Sequence, residues 1–204
     1  MFNEGIVGAQ NQSDGTVVKA RMGRHGDQLV SGLHGPAYER TYRKNSFNVA
    51  TVAAGVTTVG LATTYTGLML QNPYTSTVDV VMGKCTFAQS VIQATTLSMV
   101  GIAFGFTAGA NATSVTAVAT RSNYIGSGIA SQANAGTIAT LSSAPFYHTF
   151  LANSQTAILN NNPVWIDLDG EVILPPGGFA CWVTAAVSPA SSMWFSFNWE
   201  EVPR

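Results

Sequence analysis

Three carboxylates stand at alternate positions near the C-terminal end of the chain: Asp167, Asp169 and Glu171. In a β-strand this spacing directs side chains to one side, and several carboxylate oxygens together could bind Ca²⁺. The Asp169-Gly170 dipeptide, however, is typical of a hairpin turn. Because the EF-hand loop pattern is incomplete, we favour a turn and keep an ion site as the alternative.

The same carboxylates offer one route to catalysis. A glycosidase needs two carboxylates that face each other across a cleft, which makes Asp167 and Glu171 the candidates for a carbohydrate-active enzyme. No second acidic cluster lies near them in the sequence. No nucleophile elbow, P-loop or dinucleotide fingerprint occurs either. We therefore predict a protein that is not an enzyme, with no catalytic residues and no cofactor.

Histidine and cysteine do not form a metal-ligand pattern. His25, His34 and His148 are far apart, and Cys85 lies 96 positions before Cys181 with no CxxC spacing. Zinc sites need closer ligands. We predict no metal site and two buried free thiols, because a free cysteine packs as a small hydrophobic residue.

The basic residues are concentrated near the N-terminus. Six of the nine precede Ser46, namely Lys19, Arg21, Arg24, Arg40, Arg43 and Lys44. Such a cluster could bind phosphates, but the net charge of −1 lacks the basic excess of most nucleic-acid-binding domains. We favour docking onto an acidic protein surface over binding to nucleic acid. Residues 1–45 are thus predicted to form an extended arm.

The segment after this arm is almost uncharged. Residues 46–120 contain only Asp79 and Lys84 as charged side chains, and charged residues make up 9% of the chain. Typical soluble domains contain about 25%. Since a soluble surface normally needs charge, much of the surface of this segment is predicted to face protein rather than water.

The elements that must position these residues are predicted to be strands. Residues 46–204 are rich in Thr, Val, Ala, Ser and Gly, with turn clusters at short intervals, which is typical of an antiparallel β-sandwich. A change in apolar alternation predicts a β-bulge at Gly83. Segments 165–168 and 172–174 are predicted to form a hairpin, and the last two strands a closing hairpin at the centre of the core. The predicted core aromatics are Phe104, Phe106, Phe179, Phe195, Phe197 and Trp199.

Alternation also predicts which residues of the last strand face outward. Met193, Phe195, Phe197 and Trp199 share one face, which leaves Trp194, Ser196, Asn198 and Glu200 on the other.

Several stretches resemble one group of virion proteins. They are residues 26–39, residues 47–73, which begin Phe-Asn-Val-Ala and end Leu-Gln-Asn-Pro, residues 170–179, and the closing segment 195–201. Together they are similar to capsid decoration (cement) proteins of tailed bacteriophages. The resemblance implies a jelly-roll sandwich, a homotrimer, and a role in stabilising the outer capsid surface by bridging subunits of the major capsid protein. It implies no catalytic residue.

Two further expectations concern location and an alternative role. The N-terminus lacks a signal-peptide pattern, and the longest apolar run, residues 97–106, is shorter than the roughly 20 residues that span a bilayer. We expect no membrane partner and assembly into a virion in a bacterial cytoplasm. The alternative role is a tail or fibre module that binds a host surface glycan or receptor through exposed Trp165, Trp182 and Trp194.

Overall fold

The computed structural model describes residues 37–52, 62–91, 98–114, 116–153, 164–184 and 192–204. The chain divides into two units, residues 1–39 and 40–204. Most of the predicted arm, including Lys19, Arg21 and Arg24, lies outside the described residues and stays a prediction. Helix α1 (Tyr38–Tyr42) departs from the extended conformation predicted for this part of the arm.

The strands of the described chain are divided between two sheets. In chain order they are β1 (Ser46–Ala50), β2 (Thr64–Gln71), β3 (Val78–Val91), β4 (Ser98–Phe106), β5 (Thr113–Ser114), β6 (Ala117–Val118), β7 (Arg121–Ser122), β8 (Asn134–Thr140), β9 (Phe146–Asn153), β10 (Val164–Asp167), β11 (Ile173–Leu174), β12 (Gly178–Thr184) and β13 (Ser192–Pro203). Sheet I has the order β10-β3-β13-β1-β7, with β11 also on β3. Sheet II has the order β5-β8-β2-β12-β4-β9, with β6 on β8.

The strand order is that of a jelly roll. Within sheet I the run is β1-β13-β3-β10, and within sheet II it is β2-β12-β4-β9. The connections β1 to β2, β3 to β4, β9 to β10 and β12 to β13 each cross from one sheet to the other. An eight-stranded core with these crossings has the architecture of two interlocked Greek keys. The predicted all-β, antiparallel sandwich of jelly-roll type is confirmed.

The β-bulge predicted at Gly83 is confirmed. Phe197 of β13 pairs with Cys85, but Trp199 pairs with Met82, so Gly83 and Lys84 together oppose a single residue of β13. The extra residue changes which side of β3 faces inward. As a result Val80 and Met82 before the bulge, and Cys85 and Phe87 after it, all pack into one core.

Both predicted hairpins near the C-terminus are wrong. β10 and β11 each pair with β3 and run in the same direction along it, so residues 168–172 form an excursion from one edge strand. β12 and β13 lie in opposite sheets and face each other across the core, where Trp182 stacks on Phe195 at 5.5 Å between ring centroids. Alternation identifies the face of a strand but not its partner.

The apolar residues form two clusters on opposite faces of sheet II. The larger cluster fills the space between the sheets and contains four of the predicted core aromatics, Phe104, Phe195, Phe197 and Trp199. Phe179 is buried in the second cluster, with Cys181 and Val183. Since Ala180 and Trp182 belong to the first cluster, β12 is buried on both faces.

Phe106 was predicted to be in the core, and this is wrong because its side chain is 53% exposed. It is the last residue of β4 and pairs with Gly178, the first residue of β12. Its inward-facing side chain therefore reaches the rim of the sandwich instead of the space between the sheets.

Candidate interaction surfaces

The outer face of sheet I carries a polar groove. Because side chains alternate along a strand, the buried positions of β13 leave Trp194, Ser196 and Asn198 on this face, as the alternation predicts. A groove of about 270 Å³ lies here. The side chains that line it include Asn48, Ala50, Lys84, Thr86, Asn123, Ser196 and Asn198.

Three asparagines from three segments fix one end of this groove. Asn48 and Asn198 are directly opposite each other on β1 and β13. The Asn48 Nδ2 donates to Asn123 Oδ1 at 2.5 Å, and Asn123 Nδ2 donates to Ser46 Oγ at 2.6 Å and, at 3.5 Å, to Asn198 Oδ1. This network sets the orientation of the amides. Among the described residues it leaves Asn48 Oδ1 and Asn198 Nδ2 without a hydrogen-bond partner.

Hydroxyl groups and two indoles lie further along the same face. Thr86 Oγ1 and Ser196 Oγ are 2.5 Å apart. In the same cross-strand row, Trp165 pairs with Thr86. Trp165 is 61% and Trp194 41% exposed. The Lys84 Nζ lies 5.7 Å from the centroid of the Trp165 ring, a cation–π distance that helps to orient this indole.

Trp182, the third tryptophan expected to be an exposed platform, is buried in the core. The expectation fails because β12 is central in sheet II and has no solvent-facing side. Its indole N–H donates to the Ser196 carbonyl at 3.2 Å.

A second surface is apolar and lies at the edge of sheet II. Among the described strands β9 pairs only with β4, and its sequence contains no Lys, Arg, Asp or Glu. Phe146 is 58% exposed and pairs with Phe104, so it shares a face with the exposed Phe106 two residues further along β4. Proteins usually protect an edge strand with charges or a bulge. β9 lacks such charges but has a register shift, because Ile102 pairs with Thr149 and Ala103 with Tyr147. The two exposed phenylalanines beside this uncharged edge make it a candidate interaction site.

Three of the six basic residues predicted to dock onto a partner are described. The guanidinium of Arg40 lies against the outer face of sheet I, beside Gly83. One of its Nη atoms is 3.7 Å from the position that a Cβ atom on Gly83 would occupy. The Lys44 Nζ lies 5.6 Å from the Tyr124 ring centroid. Arg43 is exposed. Arg40 and Lys44 thus contact the sandwich, and the docking role of the cluster stays a prediction.

The acidic trio forms a turn. Asp169 and Gly170 have φ angles of 42° and 83°, and the Asp169 N–H donates to Asp167 Oδ1 at 3.2 Å. The described ranges contain no group of three or more His, Cys, Asp or Glu residues that could hold a metal ion.

The two cysteines are free and buried, as predicted. Burial raises the pKa of the Cys85 thiol to about 12, with a smaller contribution from the Asp167 carboxylate. Burial also raises the pKa of Cys181. Both thiols are therefore neutral near pH 7, and a neutral thiol is a poor nucleophile and metal ligand.

The chain matches no protein-family model, no curated protein and no solved structure. The resemblance to decoration proteins therefore stays a prediction. In the part of the chain that the structure describes, no helix is long and apolar enough to cross a membrane.

The polar groove is the feature that sequence reasoning missed. The outward residues of β13 follow from alternation. Asn123, however, is 75 positions from both Asn48 and Asn198, and no local motif connects the three. Only the pairing of β1 with both β13 and β7 brings them together.

Proposed function

We propose that this protein is a structural component of a virion that decorates and stabilises the capsid of a tailed phage by bridging subunits of the major capsid protein. The observation that carries the proposal is the exposed pair Phe106 and Phe146 beside the uncharged edge strand β9. Burial of apolar area against a neighbouring subunit is the main favourable term in such association. The side of β9 away from β4, which pairs with no other described strand, can add backbone hydrogen bonds to that contact.

The proposed mechanism is many modest contacts repeated by symmetry. A homotrimer would match a three-fold position of a shell, because closed point-group symmetry is the usual form of homo-oligomers. The basic cluster of residues 19–44 would then dock onto acidic patches of the capsid. Each contact alone would be weak, but linked contacts multiply in their effect on binding.

Particles of the encoding phage made without this protein are expected to release their genome at a lower temperature than complete particles. Purified wild-type protein added back should restore the release temperature. The F106S/F146S double variant should fail to do so, because it removes the apolar surface while leaving the buried core intact. Genome release is measured by dye fluorescence during a thermal ramp.

The matched control for this experiment is Ile125→Ser, since Ile125 is also exposed but lies in the loop that follows β7. This variant should restore the release temperature as well as the wild type does. Equal release temperatures with and without the protein would contradict the capsid role. Full restoration by the double variant would show that the Phe106–Phe146 surface is not the contact.

The second candidate is a tail or fibre module that binds a host surface glycan or receptor. It is favoured by the exposed Trp165 and Trp194 on the polar face of sheet I. Copy number separates the two, since a shell protein is present in many copies per particle and a tail module in few.

A further inference from the structure

We propose that the outer face of sheet I binds an oligosaccharide that carries N-acetylated sugars. The site extends from the indoles of Trp165 and Trp194 to the amide pair Asn48–Asn198. The inference sharpens the second candidate function but does not depend on where in the virion the protein sits, because it rests only on this face.

The indoles supply the apolar part of the site. Trp165 and Trp194 are exposed on strands that β3 separates, and they pair with Thr86 and Ala88 of that strand. With strands about 4.8 Å apart and about 3.4 Å per residue, their Cα atoms are roughly 12 Å from each other. The C–H faces of pyranose rings stack on indoles, and tryptophan combines a large apolar surface with a polar N–H. Two such platforms suit consecutive segments of one sugar chain.

The asparagines supply the selectivity. Asn48 Oδ1 is an acceptor and Asn198 Nδ2 a donor, and the network with Asn123 uses neither of them. An acetamido group carries one N–H donor and one carbonyl acceptor, so it can bond to both at once. Since Asn48 and Asn198 are directly opposite on paired strands, the two groups are close enough to serve a single acetamide.

The lining of the groove argues against a protein partner. Lys84 is the charged side chain among the groove-lining residues, and the others are amides, hydroxyls or apolar groups. Two further cations lie beside the groove, since the Arg40 guanidinium lies near Gly83 and Arg121 pairs with Asn48. A stable protein interface would require an apolar centre, whereas the side chains that line this groove are mainly polar.

The site is also held in place before any ligand arrives. Asn123 fixes the amide of Asn48, and the Thr86 and Ser196 hydroxyls bond to each other across paired strands. All of the groups stand on a sheet or its immediate continuation. Such pre-organisation lowers the entropy lost on binding.

The test is a titration of the full chain with two hexasaccharides that share a β-1,4 linkage. Chitohexaose carries acetamido groups, and cellohexaose has hydroxyls in their place. Isothermal titration calorimetry should show binding of chitohexaose. Cellohexaose should bind about tenfold more weakly, because a hydroxyl is too short to bond to Asn48 Oδ1 and Asn198 Nδ2 at the same time, as an acetamide does. Chemical shift changes in an NMR titration should be confined to β3, β10, β13 and β1.

Variants assign the parts of the site. Trp165→Ala and Trp194→Ala should each weaken chitohexaose binding by about fivefold or more, as the loss of an aromatic anchor does. Asn198→Asp replaces the donor by an acceptor and should abolish the preference for acetylated sugar. Tyr74→Ala, at an exposed tyrosine in the turn between β2 and β3, should bind as the wild type does. Thermal unfolding of each variant confirms that it is folded.

Three results would overturn the proposal. They are a wild-type protein that does not bind chitohexaose, equal affinity for the two hexasaccharides, and tryptophan variants that are folded and bind normally. None of these results affects the temperature of genome release. A protein that fails to bind the sugar can therefore be distinguished from one that fails to stabilise the capsid.

Discussion

Replacement of Trp182 by alanine is expected to lower the free energy of unfolding by about 3–5 kcal/mol. The indole is buried between the sheets, with ring centroids 5.5 Å from Phe195, 5.9 Å from Phe197 and 5.7 Å from Phe87. The substitution leaves a cavity that these rings can close only in part. It also removes the donor to the Ser196 carbonyl. Urea denaturation followed by circular dichroism measures the change.

The matched control is Trp194→Ala on the other side of sheet I. Trp194 is 41% exposed, so its removal should change the free energy of unfolding by no more than about 1 kcal/mol. The two variants thus compare the loss of a buried tryptophan with the loss of an exposed tryptophan in the same chain. Equal losses for the two variants would contradict the packing described for β12 and β13.

Glu201→Ala is expected to lower the free energy of unfolding by about 2–4 kcal/mol. The carboxylate is buried, and its Oε1 accepts hydrogen bonds from the Gln132 and Ala133 backbone N–H groups at 2.9 and 3.2 Å. The Ser131 hydroxyl and, at 3.4 Å, the Trp199 indole N–H donate to the same oxygen. Alanine would leave these donors without an acceptor. The carboxylate thus anchors residues 131–133, which lead into β8, to the end of β13.

The neighbouring Glu200→Ala variant is the control, because the Glu200 side chain lies on the opposite face of β13 from that of Glu201. Glu200 pairs with Ser46 of β1. The variant should change the free energy of unfolding by about 0.5 kcal/mol or less. Glu201→Gln should recover part of the loss, since its amide oxygen still accepts. If the Glu200 variant were as destabilised as Glu201→Ala, the anchoring role would be refuted. The same urea titrations provide the measurement.

The sequence predicts the sheet faces well because alternation is a local property. The inward set of β13 follows from it, and so does the bulge at Gly83. Strand pairing is not local. The turn chemistry of Asp169-Gly170 therefore indicated a hairpin, although both flanking strands pair with β3.

The candidate sites show the same division. Trp165 and Trp194 could be recognised as exposed from the sequence, but Trp182 could not be excluded, because only the central place of β12 in sheet II makes both of its sides buried. Phe106 is exposed because β4 ends there, at the rim of the sandwich, and the position of this rim depends on how the strands pair. The amide network depends on a three-strand arrangement of segments distant in the sequence.

Sedimentation velocity of the purified full chain, alone and mixed with capsids made without it, tests whether these charge-poor strands lie against other subunits, as proposed. We expect a species of three times the 21.4 kDa chain mass that co-sediments with the capsids. A monomer at every concentration that never co-sediments with them would contradict this proposal.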